Sequence, residues 1–176
     1  MRPDVNSVVH AHPPVSTGYA AAGRALNLAL LPEVVISLGC VPLADYGLPG
    51  TPDLTAGMEP FIPKHDAMLM ANHGVVSYGP DVFNAFFRME TVEHYARISL
   101  VAEQLGGAKA LPRAEVDKLY DARGRYGVKG LAGVEPGCPV SAEDIGAGGR
   151  GAGTIEVTRE ELIALVEEAL RARGVA

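Results

Sequence analysis

The chain has 176 residues, 48% of them hydrophobic and 20% charged, with a formal net charge of −6. This length and composition are typical of one globular domain with its own core. No basic block is present, which argues against a nucleic-acid partner, and no apolar stretch has the length of a membrane span or a signal core. The two cysteines, Cys40 and Cys138, lie far apart in sequence, so a cytoplasmic protein with reduced thiols is expected.

Two histidines, His10 and His12, follow a short β-type run that begins at Val5. Successive strand side chains point to opposite faces of a sheet, so both rings are expected to project from the same face. Proline at positions 13 and 14 ends the strand because it has no N–H to donate to a neighbouring strand. The pair is therefore predicted to lie at a strand end, where both imidazoles can bind one metal ion.

A third histidine, His73, stands in a similar context. It follows an apolar run and precedes Gly74, which permits a tight turn into the next apolar run. Three neutral imidazoles with one open coordination position are typical of a catalytic zinc site rather than a closed structural one. We therefore predict a Zn²⁺ site formed by His10, His12 and His73. For the first two histidines alone, polar side chains facing solvent would be an equal alternative.

Between these histidines the sequence predicts a helix, two strands and a long loop. Ser16 and Thr17 are candidate N-caps for the helix. Pro and Gly dominate the loop, which is expected to contain one helical turn after Thr51. The predicted bounds are a helix from about residue 16 through residue 26 that ends near Pro32, a buried strand over 34–38, a short strand over 41–44 and the loop over 46–65.

The longest predicted helix begins after Asp81 and ends before Gly106. His94 on this helix is four residues from Glu90. We interpret the two as a polar pair on a solvated face, and the alternative is that His94 is a ligand or an acid. Six apolar side chains at helical spacing are predicted to face the core: Val82, Phe83, Phe86, Met89, Val92 and Ala96.

The composition changes after Gly107, where the predicted core over residues 1–107 ends. A helical extension is predicted over 108–129, a Gly- and Pro-rich linker over 130–154 and an amphipathic helix over 155–176. Residues 146–151 formally match GxGxxG, but no apolar strand precedes them, so a linker is favoured over a dinucleotide site. The last helix either packs on its own domain or docks into a partner.

Three segments together resemble the class II aldolase/adducin family. They are residues 8–14 (VVHAHPP), 42–51 (PLADYGLPGT) and 67–79 (AMLMANHGVVSYG), in that order. The resemblance covers about residues 2–107. It implies an α/β fold with a mostly antiparallel sheet flanked by helices, and it identifies His10, His12 and His73 as zinc ligands.

The activity that this resemblance implies is zinc-dependent cleavage of a phosphorylated ketose, such as L-fuculose 1-phosphate, into dihydroxyacetone phosphate and an aldehyde. Two alternatives stay open. One is 4-epimerisation of a pentulose phosphate at the same zinc site, and the other is a non-catalytic, adducin-like assembly domain. Family members are commonly homotetramers, so a homo-oligomer is expected.

The resembling family has a substantial segment before the position at which this chain begins. That segment supplies the loops that hold the substrate phosphate and an acidic acid/base residue. The chain is therefore predicted to be an N-terminally truncated relative with little activity, its catalytic residues are unknown, and Tyr46 is not assigned a proton-donor role. The tail over residues 155–173 resembles encapsulation peptides, which implies a shell protein of a bacterial microcompartment as a candidate partner and location.

Overall fold

A four-stranded sheet forms the centre of the fold in the computed structural model, which describes residues 2–128 and 138–147. The strands are β1 (Ser7–Ala11), β2 (Leu43–Ala44), β3 (Ala67–Met70) and β4 (Gly74–Gly79). Their order across the sheet is β1-β4-β3-β2, with antiparallel pairs β1/β4 and β3/β4 and a parallel pair β2/β3. The predicted α/β class with a mostly antiparallel sheet is confirmed.

Six α-helices surround this sheet in the described part of the chain. They are α1 (Pro14–Ala21), α2 (Pro32–Ser37), α3 (Pro52–Met58), α4 (Val82–Gln104), α5 (Arg113–Ala122) and α6 (Ala142–Ala147), with a 3-10 helix at Arg123–Tyr126. None of the helices among these residues is long and apolar enough to cross a membrane.

Both faces of the central hairpin β3–β4 are covered, and every residue of the two strands is buried. Leu69 and Val75 on one face belong to a cluster with side chains of α1 and α4. Met68 and Val76 on the other face pack against Met58 and its neighbours around α3. Burial on both faces explains why these strands read as continuous apolar runs rather than as alternating patterns.

The prediction of a strand over residues 34–38 is wrong, because this segment forms helix α2. Pro32 occupies the first helical turn, where its missing N–H is harmless, and Glu33 in the same turn complements the helix dipole. Val35 is buried with Ala29 and with Val116 of α5. A short apolar run is compatible with either a strand or a buried helix, and only its packing against α5 separates the two here.

Helix α1 begins earlier and ends earlier than predicted. Pro14 lies in its first turn, so Ser16 and Thr17 lie within the helix rather than capping it. The helix stops at Ala21, and Gly23 follows with a φ of 69°. This left-handed conformation favours glycine and ends the helix before Leu26.

Helix α4 has the predicted bounds, and the Asp81 side chain caps it by accepting the N–H of Asn84. Its buried face is only partly the predicted one. Met89, Val92 and Ala96 are buried, but Val82, Phe83 and Phe86 are 54%, 69% and 46% exposed. At about 100° per residue, Phe83 lies roughly 120° around the helix from Met89 and cannot share its face.

Residues 138–147 fold back onto the core, although the sequence assigned them to the linker over 130–154. Cys138 forms a disulfide with Cys40, their Cα atoms 5.7 Å apart, so the expectation of reduced thiols is wrong for this structure. Val140 exchanges backbone hydrogen bonds with the segment around Leu28, and this pairing brings the two cysteines together. The helical extension after Gly107 is present as α5, whereas the predicted helix over 155–176 lies outside the described residues.

Candidate metal centre

His10 lies in the edge strand β1, and the sheet register places it opposite Val76. Its Nδ1 atom is 2.8 Å from the carbonyl oxygen of Val75. A carbonyl oxygen can only accept a hydrogen bond, so Nδ1 carries the proton of the neutral ring and donates it. The Nε2 atom therefore keeps its lone pair, which is the arrangement that a metal-binding histidine needs.

His12 follows directly after β1, and its Nε2 lies 3.2 Å from the Nε2 of His10. The ring packs against Gly74 at the start of β4. A Cβ atom at Gly74 would overlap the His12 ring and would lie 2.7 Å from the carbonyl oxygen of Ala11. Position 74 is therefore restricted to glycine by a close approach.

His73 lies in the turn between β3 and β4, where its backbone N–H donates to the carbonyl oxygen of Met70 at 3.0 Å. The left-handed residue of this turn is Asn72, with a φ of 54°, whereas Gly74 is the first residue of β4. Asparagine tolerates this conformation better than most residues. The Nδ1 atom of His73 is buried and has no hydrogen-bond partner among the described residues. A bound ion or a water molecule is one way in which such an atom is satisfied.

The three predicted histidines converge. Their ring centroids are 4.9, 4.9 and 5.1 Å apart, and one ring nitrogen from each lies within 4.8 Å of the others. Burial of the His73 ring, and then the neighbouring imidazoles of His10 and His12, lower the pKa of His73. A lowered pKa favours the neutral ring, which is the form that binds metal ions.

The cluster is open on one side, because the His10 and His12 residues are exposed while His73 is half-buried. Within residues 2–128 and 138–147, no carboxylate or cysteine joins the three rings. His94 is exposed on α4 and lines a separate groove with Pro13. Metal binding by the three histidines stays a prediction, and so does the exclusion of His94.

Two contacts that support this cluster could not be predicted from the sequence. The carbonyl of Val75 that orients His10 could be named only once the β1/β4 register was known. The close approach of Gly74 to His12 could not be predicted for the same reason. The sequence showed only that Gly74 directly follows His73, which suggested a turn. Strand register is a non-local property, and neither contact has a local sequence signal.

Residues 1–100 match the family model described as Class II Aldolase and Adducin N-terminal domain. Among curated proteins, the L-fuculose phosphate aldolase of Methanocaldococcus jannaschii is 31% identical over 100 residues, 57% of this chain and 54% of that protein. The 3,4-dihydroxyphthalate decarboxylase of Arthrobacter keyseri is 31% identical over 131 residues, 71% of this chain and 53% of that protein.

A solved L-fuculose 1-phosphate aldolase superposes with a TM-score of 0.65 at 26% identity, covering 73% of this chain and 58% of that one. The chain thus spans about half the length of the curated relatives that it matches. The matched region contains all three histidines and all four strands described above. The chain belongs to the class II aldolase and adducin N-terminal domain family.

Proposed function

We propose that this chain carries the metal centre of a metal-dependent lyase of the aldolase type, with Zn²⁺ held by His10, His12 and His73. The observation that supports the proposal most directly is the convergence of three ring nitrogens within 4.8 Å on an open side of the sheet. Three imidazoles and an accessible fourth position are the donor set of catalytic rather than structural zinc.

The spacing of two of the three donor atoms fits such an ion. Two nitrogens bound to one tetrahedral zinc at about 2.0–2.1 Å would be roughly 3.3–3.4 Å apart. The Nε2 atoms of His10 and His12 are 3.2 Å apart. At this distance the two nitrogens can share either one proton, in an N–H···N hydrogen bond, or one cation, and we propose the cation.

Each residue has a definable role in this proposal. His10 is held in the correct tautomer by its hydrogen bond to Val75, and His12 is held against Gly74. His73 supplies the third nitrogen from the β3–β4 turn. A divalent ion bound there would act as a Lewis acid towards a substrate carbonyl.

The substrate that we propose is a phosphorylated ketose, cleaved to dihydroxyacetone phosphate and an aldehyde. Support comes from relatives named L-fuculose phosphate aldolase and 5-deoxy-D-ribulose 1-phosphate aldolase, the latter from Bacillus thuringiensis and 30% identical over 128 residues. Aldol cleavage also needs proton transfer. No group is assigned to that role, and 4-epimerisation of a pentulose phosphate remains an alternative at the same centre.

A decarboxylase is the second candidate, because one of the longer matches along this chain is to a 3,4-dihydroxyphthalate decarboxylase. Both reactions break a carbon–carbon bond and leave negative charge that a Lewis acid stabilises. The homotetramer, and the docking of residues 155–173 to a microcompartment shell protein, remain hypotheses from the sequence alone.

The experiment begins with the zinc content of the purified 176-residue chain, measured with His73→Ala and with His94→Ala as the matched control. We expect one zinc per chain in the wild type and in His94→Ala, and less in His73→Ala. Equal zinc content in all three proteins would contradict the proposed centre.

Turnover is then assayed with added zinc on L-fuculose 1-phosphate, L-ribulose 5-phosphate and 3,4-dihydroxyphthalate. Release of dihydroxyacetone phosphate identifies the aldolase, formation of a 4-epimer identifies the epimerase, and release of carbon dioxide identifies the decarboxylase. Zinc binding with none of the three reactions would support the proposed metal centre but not a lyase activity of this chain by itself.

A further inference from the structure

The first turn of α1 has N–H groups that its own sequence does not satisfy. The helix starts directly after His12, with Pro13 as the N-cap residue and Pro14 in the first turn. Pro13 has no side chain that can accept a hydrogen bond, and no acidic residue lies in the first turn. The N–H groups at the start of a helix need partners from elsewhere, because no preceding turn supplies carbonyls for them.

Glu93 of α4 supplies these partners from a distant part of the chain. Its Oε2 accepts the N–H of Ser16 at 2.9 Å and the Ser16 hydroxyl at 2.7 Å, and its Oε1 accepts the N–H of Val15 at 3.2 Å. Ser16 is fully buried, and only 16% of the Glu93 side chain is exposed. Glu93 therefore acts as the N-cap that the proline pair cannot provide, and it completes the hydrogen bonding of the first turn.

The segment between this cap and His12 has little freedom. Pro13 and Pro14 each hold φ near one value, and Pro13 has a φ of −64°. His12 lies between the end of β1 and this stiff pair. Anchoring the start of α1 therefore limits where the His12 backbone can lie.

His12 lacks the kind of support that His10 has. The His10 ring is oriented by the Val75 carbonyl, whereas the only hydrogen bond of the His12 ring within the described parts of the chain is to His10 itself. A metal ligand normally needs a further group that fixes its orientation. Among the described residues, that control for His12 comes from packing against Gly74 and from its backbone.

We propose that Glu93 is a positioning residue for the metal centre, which holds His12 in place by capping the helix that begins immediately after it. This inference rests on the proposed metal binding. Glu93 does not touch the metal or the substrate, and its effect passes through α1 to a single ligand.

A purely structural role would be to hold α1 against α4, and Glu103 provides the matched control for it. Glu103 lies on the same helix and accepts the Tyr19 hydroxyl at 3.1 Å and two Arg24 hydrogen bonds at 2.8 and 2.6 Å. It thus ties α4 to the opposite end of α1, away from His12. Removing either carboxylate should weaken α1–α4 packing, but only Glu93 binds the helical turn that begins directly after His12.

The test uses the full-length wild-type chain and three variants, Glu93→Ala, Glu93→Gln and Glu103→Gln. Zinc affinity is measured by competition with a chromophoric chelator, and stability is measured by thermal unfolding. We expect Glu93→Ala to weaken zinc binding about 10- to 100-fold, the usual range for losing a group that orients a ligand. Glu93→Gln keeps the side-chain size and one acceptor oxygen, so we expect a smaller loss. We expect Glu103→Gln to lower thermal stability without changing zinc affinity.

Co²⁺ absorption spectra of the same variants report the geometry of the bound ion. A second comparison introduces the Glu93 substitution into a His12→Ala variant. If Glu93 acts through His12, Glu93→Ala should cost no further affinity once His12 is absent. Zinc affinity and a Co²⁺ spectrum of Glu93→Ala equal to those of wild type would overturn the inference. A wild-type chain that binds no zinc would instead refute the proposed function, so the two failures are distinguishable.

Discussion

Substitution of Gly74 by alanine tests whether close packing of β4 against His12 shapes the metal centre. The added Cβ would overlap the His12 ring and would lie 2.7 Å from the Ala11 carbonyl oxygen. Ala11 is held in register opposite Val75, so the strand cannot retreat without losing sheet hydrogen bonds. The ring of His12 is the easier group to displace.

The size of the effect follows from two opposing contributions. Replacing glycine by alanine ordinarily stabilises a regular element by about 0.5–1 kcal/mol. Overpacking a tight site costs about 1–3 kcal/mol. We therefore expect Gly74→Ala to lower the free energy of unfolding of the metal-free protein by up to about 2 kcal/mol, and to weaken zinc binding at least about tenfold because His12 moves.

The assay combines thermal unfolding with zinc competition, and Gly18→Ala serves as the control. Gly18 lies within α1, and nothing within 4 Å would meet its added Cβ. That variant should gain about 0.5–1 kcal/mol and keep its zinc affinity. If Gly74→Ala matched wild type in both measurements, the steric reasoning about His12 would be refuted.

Three further predictions concern features away from the metal centre. Reducing the Cys40–Cys138 disulfide opens a loop with a sequence separation of 98. This should lower the free energy of unfolding by about 4–5 kcal/mol. A Cys138→Ser variant, which has no disulfide to reduce, should unfold at the same temperature with and without reductant. Asp66 is buried between two arginines at 2.7 and 2.8 Å. Because both arginines keep other partners, Asp66→Ala should lower the free energy of unfolding by about 1–3 kcal/mol in chemical denaturation, and an unchanged denaturation midpoint would contradict this. Hydrogen bonds from Ser141 and then Arg113 lower the pKa of Asp144 to about 2. The contribution of Asp144 to stability should therefore be present above about pH 4 and lost as the pH falls towards 2. Asp144→Asn should remove that part of the acid dependence of unfolding.

Local patterns in the sequence were sufficient for several elements. The bounds of α4 follow from Asp81 as a cap and from the glycines after its last turn, and both signals act within a few residues. The three histidines were identifiable because a two-residue spacing on a strand, and a histidine in a turn, are also local features. Continuous apolar runs marked β3 and β4 because both of their faces are covered.

Other features depended on contacts between distant segments. The short apolar run of α2 fits a strand or a helix equally well, and its packing against α5 was not visible in the sequence. The disulfide required the backbone pairing of Val140 with Leu28, which no cysteine spacing reveals.

Residue types and local spacing determined which side chains could bind a metal. The tertiary structure decided how those side chains are held: the register of β1 on β4 places the Val75 carbonyl at His10, and the packing of α4 on α1 places Glu93 at the start of α1. Propensities and caps act over a few residues, whereas strand register and helix packing depend on where the chain returns after many residues.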